Sequence, residues 1–277
     1  MLGIALTAIG TFFDEVSSSF GKWEVSHQKE NIYTFGFLNI FWLLIIFIVW
    51  AIAKNNFIFS SASIPIFSLL IILEMAQTYS SLHATIKADR STLGFLMIGT
   101  LPLLLIVDTI LGYEVGIASL FGISIIVLGL IILLANHGIT KKGIGYVLFS
   151  TINASATISI YKYCITYYNS VAAQQIITCI FLLAFLFTLS IWKFKENPLK
   201  FLFKRNFLFQ SFSKGIGGVA ISLAYLYAPA SVITSGKRAA SLIWSILSGS
   251  QYFHEKHILI KIFSFAFIVI GLILLVI

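Results

Sequence analysis

Of the 277 residues, 59% are hydrophobic and only 10% are charged, with 26 phenylalanines. A soluble domain carries about a quarter charged residues, so this composition excludes a water-soluble globular protein and describes a polytopic membrane protein. The formal charge of +8 does not point to nucleic acid, because no basic face or RNA-binding motif accompanies it and most cations fall between apolar runs.

A helix crossing the hydrocarbon needs about 20 predominantly apolar residues. By that length the chain divides into ten spans, at 2-21, 32-53, 62-84, 91-111, 115-135, 143-165, 171-192, 207-228, 230-252 and 258-277, giving an all-α membrane protein. The first, beginning at Leu2, has no basic leader or small-residue cleavage site and runs on into further spans, so a retained helix is expected rather than a signal peptide. The breaks hold charge or helix punctuation, among them Lys22 to Asn31, Lys87 to Arg90, Asn136 to Lys142 and Lys193 to Arg205. At Ala228-Pro229-Ala230 a proline ends one helix and starts the next, which requires a tight hairpin. Cys164 and Cys179 lie within or beside apolar runs without metal-ligand or redox spacing; they read as packing residues, and no metal or cofactor is expected.

With Lys261, near the start of the last span, counted to the ninth loop, thirteen of the eighteen Lys and Arg residues are assigned to odd-numbered loops, one, Lys54, to an even loop, and Lys162, Lys214, Lys237 and Arg238 to span interiors. This bias alone places the odd loops in the cytoplasm and both termini outside.

The two halves end alike. The stretches 101-134 and 240-275 each hold an apolar helix, an aromatic beside Glu114 or Glu255, and a closing helix containing Gly-Leu-Ile, with 15 residues from Glu to Gly in one and 16 in the other. Glu114 and Glu255 read as first-turn acids complementing a helix dipole. A split near 138 leaves five spans per half, 1-138 and 139-277, and an odd number of spans inserts the halves in opposite orientations, the sequence sign of a transporter built from inverted repeats.

The stretches "YSSLHATIKADRSTLGFLMIGTLPLLLIVDTILGYEVG" (79-116) and "AYLYAPASVITSGKRAASLIWSILSGSQYFHEK" (224-256) resemble the paired signatures of the drug/metabolite transporter superfamily, in its ten-helix EamA-like branch. "GTFFDEVSSSFGK" (10-22) departs from the first-helix pattern, which usually has Trp-Gly where Asp14 and Glu15 stand. The resemblance implies a secondary transporter with a central cavity lined by the first to fourth and sixth to ninth spans, the fifth and tenth being peripheral. It also implies cytoplasmic termini, opposite to the loop-charge reading.

Polar stripes locate candidate cavity residues, since positions facing one side of a helix recur every three or four residues. In chain order, the first span groups Thr7, Thr11, Asp14 and Ser18, with Glu15 adjoining, and the third groups Glu74, Thr78, Ser81 and Thr85. The sixth is polar on two sides, through Asn153, Thr157 and Tyr161 and through Thr151, Ser155 and Lys162, which suits a helix surrounded by protein or a cavity. The eighth carries Ser211, Gly215, Gly218, Ser222 and Tyr225 with Lys214 beside them, and the ninth Thr234, Lys237, Ser241, Ser245 and Ser248 flanked by Arg238 and Trp244. The fifth and tenth offer almost nothing polar and read as scaffold facing lipid or a second copy of the chain in a homodimer.

Ionisable residues near the bilayer centre cost roughly 2.5 to 3.5 kcal/mol each on insertion scales and are usually paired or functional. Three readings of Lys237 and Arg238 stand open: pairing with Asp14, Glu15, Glu74 or Asp108 across the repeat interface, contact with substrate or coupling ion, and snorkelling to the interface. Asp14, Glu15 and Glu74 are candidate proton carriers or salt-bridge partners. Tyr79, Tyr161, Tyr225 and Trp244 are candidates to stack on a substrate or hold a cation, and His83 is expected to be satisfied locally or wet. The Gly215 and Gly218 spacing reads as close helix packing.

The leading functional expectation is a transporter, not an enzyme, moving a small polar metabolite through the inner cell membrane by alternating access, with proton coupling or exchange. No phosphate-binding Gly-x-x-x-x-Gly-Lys-Ser/Thr loop occurs, so direct ATP coupling is not expected. A lipid-carrier flippase and an intramembrane lipid-modifying enzyme are the alternatives.

Overall fold

The computed structural model describes residues 2-110, 117-135, 141-227, 230-254 and 258-276. Glu114, Glu255 and the Ala228-Pro229 hairpin lie outside these residues, as does the side chain of Asp108. The described chain is all-helical, with no strand: α1 (Leu2–Ser26), α2 (Ile32–Lys54), α3 (Ile64–Lys87), α4 (Arg90–Met97), α5 (Thr100–Ile110), α6 (Ile117–Ala135), α7 (Ile144–Tyr167), α8 (Val171–Phe194), α9 (Arg205–Ala224), α10 (Ala230–Gln251) and α11 (Ile258–Val276). Among the described residues, six helical stretches are long and apolar enough to cross a membrane: Ile32–Lys54, Ser61–Lys87, Arg90–Val107, Ile144–Tyr167, Val171–Phe194 and Phe207–Ala224. Large apolar side chains such as Ile52, Ile72, Ile152, Trp192 and Phe263 point outward, the arrangement of a protein whose solvent is hydrocarbon.

Local chemistry sets the helix ends. Asn31 caps α2 by accepting from the Tyr33 and Thr34 amides, and Asn55 closes it in the left-handed region at φ 47°. Ser170 caps α8 through the Ala173 amide, and Lys195 ends it at φ 52°.

One expected helix is two. The 91-111 span breaks between α4 and α5 at Ile98-Gly99. Pro102 has no N–H for the Ile98 carbonyl and its ring crowds that carbonyl, so the helix cannot run through. The junction tightens instead, with the Ile98 amide on Phe95 O at 3.1 Å and the Gly99 amide on Leu96 O at 3.0 Å. The Thr151 hydroxyl of α7 also donates to Leu96 O. The approach at Gly99 is close, a Cβ there standing 3.1 Å from Leu96 O and 3.2 Å from the Thr151 methyl.

Helices from the two ends of the chain interleave. α1 lies on α9 and α10, α2 on α8 and α9, α3 on α7, α4 on α10, and α6 on α11. α9 is wedged between two neighbours by glycines on both flanks: a Cβ on Gly217 would meet Gly10 O of α1 at 2.7 Å, and one on Gly218 would meet Leu43 of α2 at 2.8 Å. α6 and α11 pack mainly on each other rather than only on lipid, meeting at the two repeated glycines. A Cβ on Gly129 would touch Phe267 and Ile268, and one on Gly271 would strike Ile126. Lys261, counted above as a loop cation, is buried within α11.

Candidate functional site

Two groups of ionisable side chains lie between the interleaved helices, set one residue apart on α1. The first is half-buried. Asp14 of α1 pairs with Lys214 of α9 at 3.1 Å, with 21% and 33% of the side chains exposed, so water reaches the pair. The pair fits only because the neighbouring α9 position is Gly217, whose Cβ would lie 2.8 Å from the Asp14 carboxylate.

Lys237 projects from α10 within electrostatic reach of Asp14, Arg238, Lys214 and Glu74. Neither Lys237 nor Glu74 of α3 has a hydrogen bond or a salt bridge within 4 Å among the described residues, and both keep part of their surface open. Glu74 also faces Tyr161 and Tyr225. These two rings meet edge to face at 5.8 Å. The Tyr225 hydroxyl bonds Thr234 at 3.1 Å and the Tyr161 hydroxyl donates to Ser222 O at 3.4 Å, so both phenols are already engaged by protein. Ser241, one turn beyond Lys237, is half-buried with no hydrogen-bond partner among the described residues, and Trp244 leans edge-on against Phe12 at 5.1 Å.

Arg238 faces elsewhere. It is buried, and its Nε donates to the Thr100 hydroxyl at the start of α5, tying α10 to that helix.

The second group is sealed. Glu15 is gripped by Arg90, Nε to Oε1 at 3.0 Å and a terminal nitrogen to Oε2 at 2.6 Å. Ser248 of α10 donates to Oε1 at 2.6 Å and Ser19 donates to it at 3.0 Å. Glu15 and Arg90 are both buried, and the bidentate fork supplies the geometry a dry ion pair requires. Glu15 therefore does not pair with Lys237 or Arg238; its partner is a residue assigned to a loop from sequence. Lys22 reinforces this end by donating to Ala88 O at 2.5 Å. α1 runs to Ser26, one turn past its expected end, which carries Lys22 into the structure.

Tyr79 does not join either group. It stacks on Tyr33 at 6.1 Å and meets His83 at 4.6 Å, with the Lys193 ammonium 5.6 Å from its ring. His83 is neither wet nor satisfied: both ring nitrogens are buried without a hydrogen-bond partner, and the ring is held between Tyr79 and, at 4.9 Å, Tyr146. α7 has protein on both polar sides, with Asn153 donating to Leu73 O and Gln77 and Thr151 bonding Leu96 O, as its two stripes suggested.

The loop between α1 and α2 holds an acid that the sequence did not single out. Glu30 is buried and accepts from Gln210 at 3.1 Å. Burial pushes its carboxyl up to about 8 against the lowering effect of the Gln210 bond, and the Glu24 and Glu196 charges add to the rise. Its second oxygen is buried without a hydrogen-bond partner. Nearby, Asn31 and Thr34 of α2 both bond the Glu196 carboxylate and Ser190 of α8, joining the two helix ends. Among the described residues, no group of three or more His, Cys, Asp or Glu side chains is placed to hold a metal ion.

Composition, length and packing together define an all-helical, multi-pass membrane protein. No protein-family model matches the chain, and no curated protein matches it.

Proposed function

We propose that the chain is a secondary transporter of the EamA-like kind that moves a small polar metabolite across the inner cell membrane by alternating access. Its halves, 1-138 and 139-277, act as inverted five-helix repeats. The observation that carries this reading is the pair Glu74 and Lys237, opposite charges contributed by different halves, half-buried and without a direct partner. An ionised side chain within a membrane-spanning bundle is costly unless something completes it. A ligand that reaches this group past the partly exposed Asp14 and Lys214 is that completion.

The helix pairing supports the inverted halves. Exchanging each helix for its counterpart in the other half turns the α1–α9 contact into the α7–α3 contact and the α1–α10 contact into those of α7 with α4 and α5. The same exchange turns α2–α9 into α8–α3 and maps α2–α8, α4–α10 and α6–α11 onto themselves. Gly129 and Gly271, at equivalent places in the two halves, both lie at the α6–α11 crossing.

In this reading Asp14, Lys214, Lys237, Glu74 and Ser241 form the binding centre. Glu15, Arg90 and Ser248 close it at one end and Tyr225, Thr234 and Lys162 at the other, where the Lys162 ammonium donates to Tyr225 O at 2.8 Å. Opening one end requires its hydrogen bonds to part while the other set holds. Asp14 or Glu74 carries the proton if transport is coupled to one.

The test is a thermal-shift panel of amino acids, nucleotides, organic cations and organic anions on the purified protein, followed by counterflow in proteoliposomes for any ligand that stabilises it. The expected outcome is stabilisation and counterflow by one class, with Lys237→Ala and Glu74→Gln folded but unresponsive. If no class binds or exchanges, or if both variants lose expression in proportion to their loss of binding, the charges are structural and the proposal fails.

A further inference from the structure

A second place outside the charge centre has the chemistry of a ligand site. A shallow, largely open groove of about 500 Å³ lies where α3 ends and α7 begins, lined by Ser80, Lys141, Ile144, Tyr146 and Phe149 among others. That volume is within the range of small-molecule sites. Its walls are graded. Lys141 is exposed just ahead of α7, whereas Phe149 stands five residues beyond Ile144, about 8 Å further along the helix axis, and is 47% exposed on the outward face.

A second cation joins the polar end. The turn before α7 reverses at Gly143, whose φ is 74°. It backs so closely onto α3 that a Cβ there would lie 2.9 Å from the Ala88 amide and 3.1 Å from the Lys87 carbonyl carbon. Only glycine combines that angle with that approach. The Lys87 ammonium then stands 4.8 Å from the centre of the Tyr146 ring, which is itself a wall of the groove. Neither Lys87 nor Lys141 has a carboxylate within 4 Å among the described residues. Both sit at the ends of membrane-length stretches, where Ser61–Lys87 finishes and Ile144–Tyr167 starts.

We propose that this groove binds an anionic phospholipid, its phosphate between Lys87 and Lys141 and an acyl chain along Ile144 and Phe149. Uncompensated cations at the edge of the hydrocarbon attract acidic headgroups, and a basic pocket between membrane helices retains them. The apolar wall beyond the cations distinguishes this ligand from a free phosphate, which has nothing to place against Phe149. The aromatic Tyr146 between the two regions sits where amphipathic rings gather in membrane proteins.

The test is native mass spectrometry of the intact chain in mild detergent, titrated separately with phosphatidylglycerol, with phosphatidylcholine of the same acyl length and with inorganic phosphate. The expected result is retention of phosphatidylglycerol at least fivefold above phosphatidylcholine, a preference lost in Lys141→Glu and in Lys87→Ala/Lys141→Ala and kept in the exposed control Lys200→Ala. Lys141 is exposed, so Lys141→Glu leaves the fold intact and gives a reading even where the double variant does not fold. Equal retention of the two lipids, or a preference that survives Lys141→Glu, overturns the proposal. Inorganic phosphate displacing phosphatidylglycerol completely at equal concentration would show that phosphate alone is the ligand.

Discussion

At the residue scale, Asp14 and Glu15 are adjacent acids with opposite circumstances. Asp14 shares a partly wet pair with Lys214, and exposed or half-exposed pairs contribute between nothing and about 1 kcal/mol. Glu15 is buried in a bidentate contact, and removing one partner of such a pair costs about 3–5 kcal/mol because the other charge is left stranded. Arg90→Ala and Glu15→Gln are therefore expected to lower the thermal midpoint sharply in detergent, with Asp14→Asn close to the parent; equal effects would show that the two acids are not so different. Glu30 makes a second residue-scale prediction. The folded carboxyl keeps its proton to about pH 8, whereas the unfolded one releases it near 4.5. Between those values the folded state holds the extra proton, so stability falls as pH rises through this window. The thermal midpoint should drop from pH 6 to pH 9, and Glu30→Gln should flatten that slope; an unchanged slope would contradict the assignment.

Some of these residues were readable from spacing and some were not. Lys237 and Ser241 were visible because a three-to-four spacing of hydroxyls continues through the cation, which is a local signal. Arg90 follows Asp89 at the start of a helix and looks like an ordinary loop cation; only the fold brings it to Glu15, 75 residues away. Tyr79 is a candidate only as an aromatic able to stack on a substrate or hold a cation, and the five residues from Glu74 turn it about 140 degrees round the helix, toward Tyr33 and His83. Glu30 gave no signal at all, since burial of a loop acid depends on Gln210 from α9.

At the element scale, glycine decides how near the helices come. Gly217 lets α9 approach Gly10 and the Asp14 carboxylate, and Gly21 sits so close to the Phe35 ring that any Cβ overlaps it. Gly217→Leu should separate α1 from α9 and disturb the Asp14–Lys214 pair, lowering both stability and ligand response. Gly145, which has nothing within 4 Å of an added Cβ, should accept alanine without loss. A thermal-denaturation series distinguishes the two positions, and equal tolerance would count against the packing described. Apolar runs of membrane length are a strong signal, and among the described residues six helical stretches of that kind stand where spans are expected. The α4–α5 break was not drawn although Pro102 announces it, because hydropathy does not fall there and an apolar run conceals a proline break. Lys261 misled the loop-charge tally for a related reason: it lies near a helix end in sequence but on an inward face in the fold.

At the scale of the whole molecule, helices from the two ends of the chain interleave with charged groups between them. The Glu-to-Gly spacing repeats in the sequence, and its two glycines, Gly129 and Gly271, both lie where α6 crosses α11. The proposed transport by alternating access requires one centre to be exposed to each side of the membrane in turn. Ser241 is the best reporter, because it stands one turn from Lys237, is half-buried and has no hydrogen bond to lose among the described residues. In a background where the buried Cys164 and Cys179 are replaced by alanine, Ser241→Cys can be challenged with a membrane-impermeant thiol reagent in right-side-out and inside-out vesicles. Labelling is expected from both sides, with Ser248→Ala, which removes one bond to Glu15 without stranding a charge, raising the rate from one side only. Labelling confined to a single side in both variants, or none from either, would contradict alternating access through this centre.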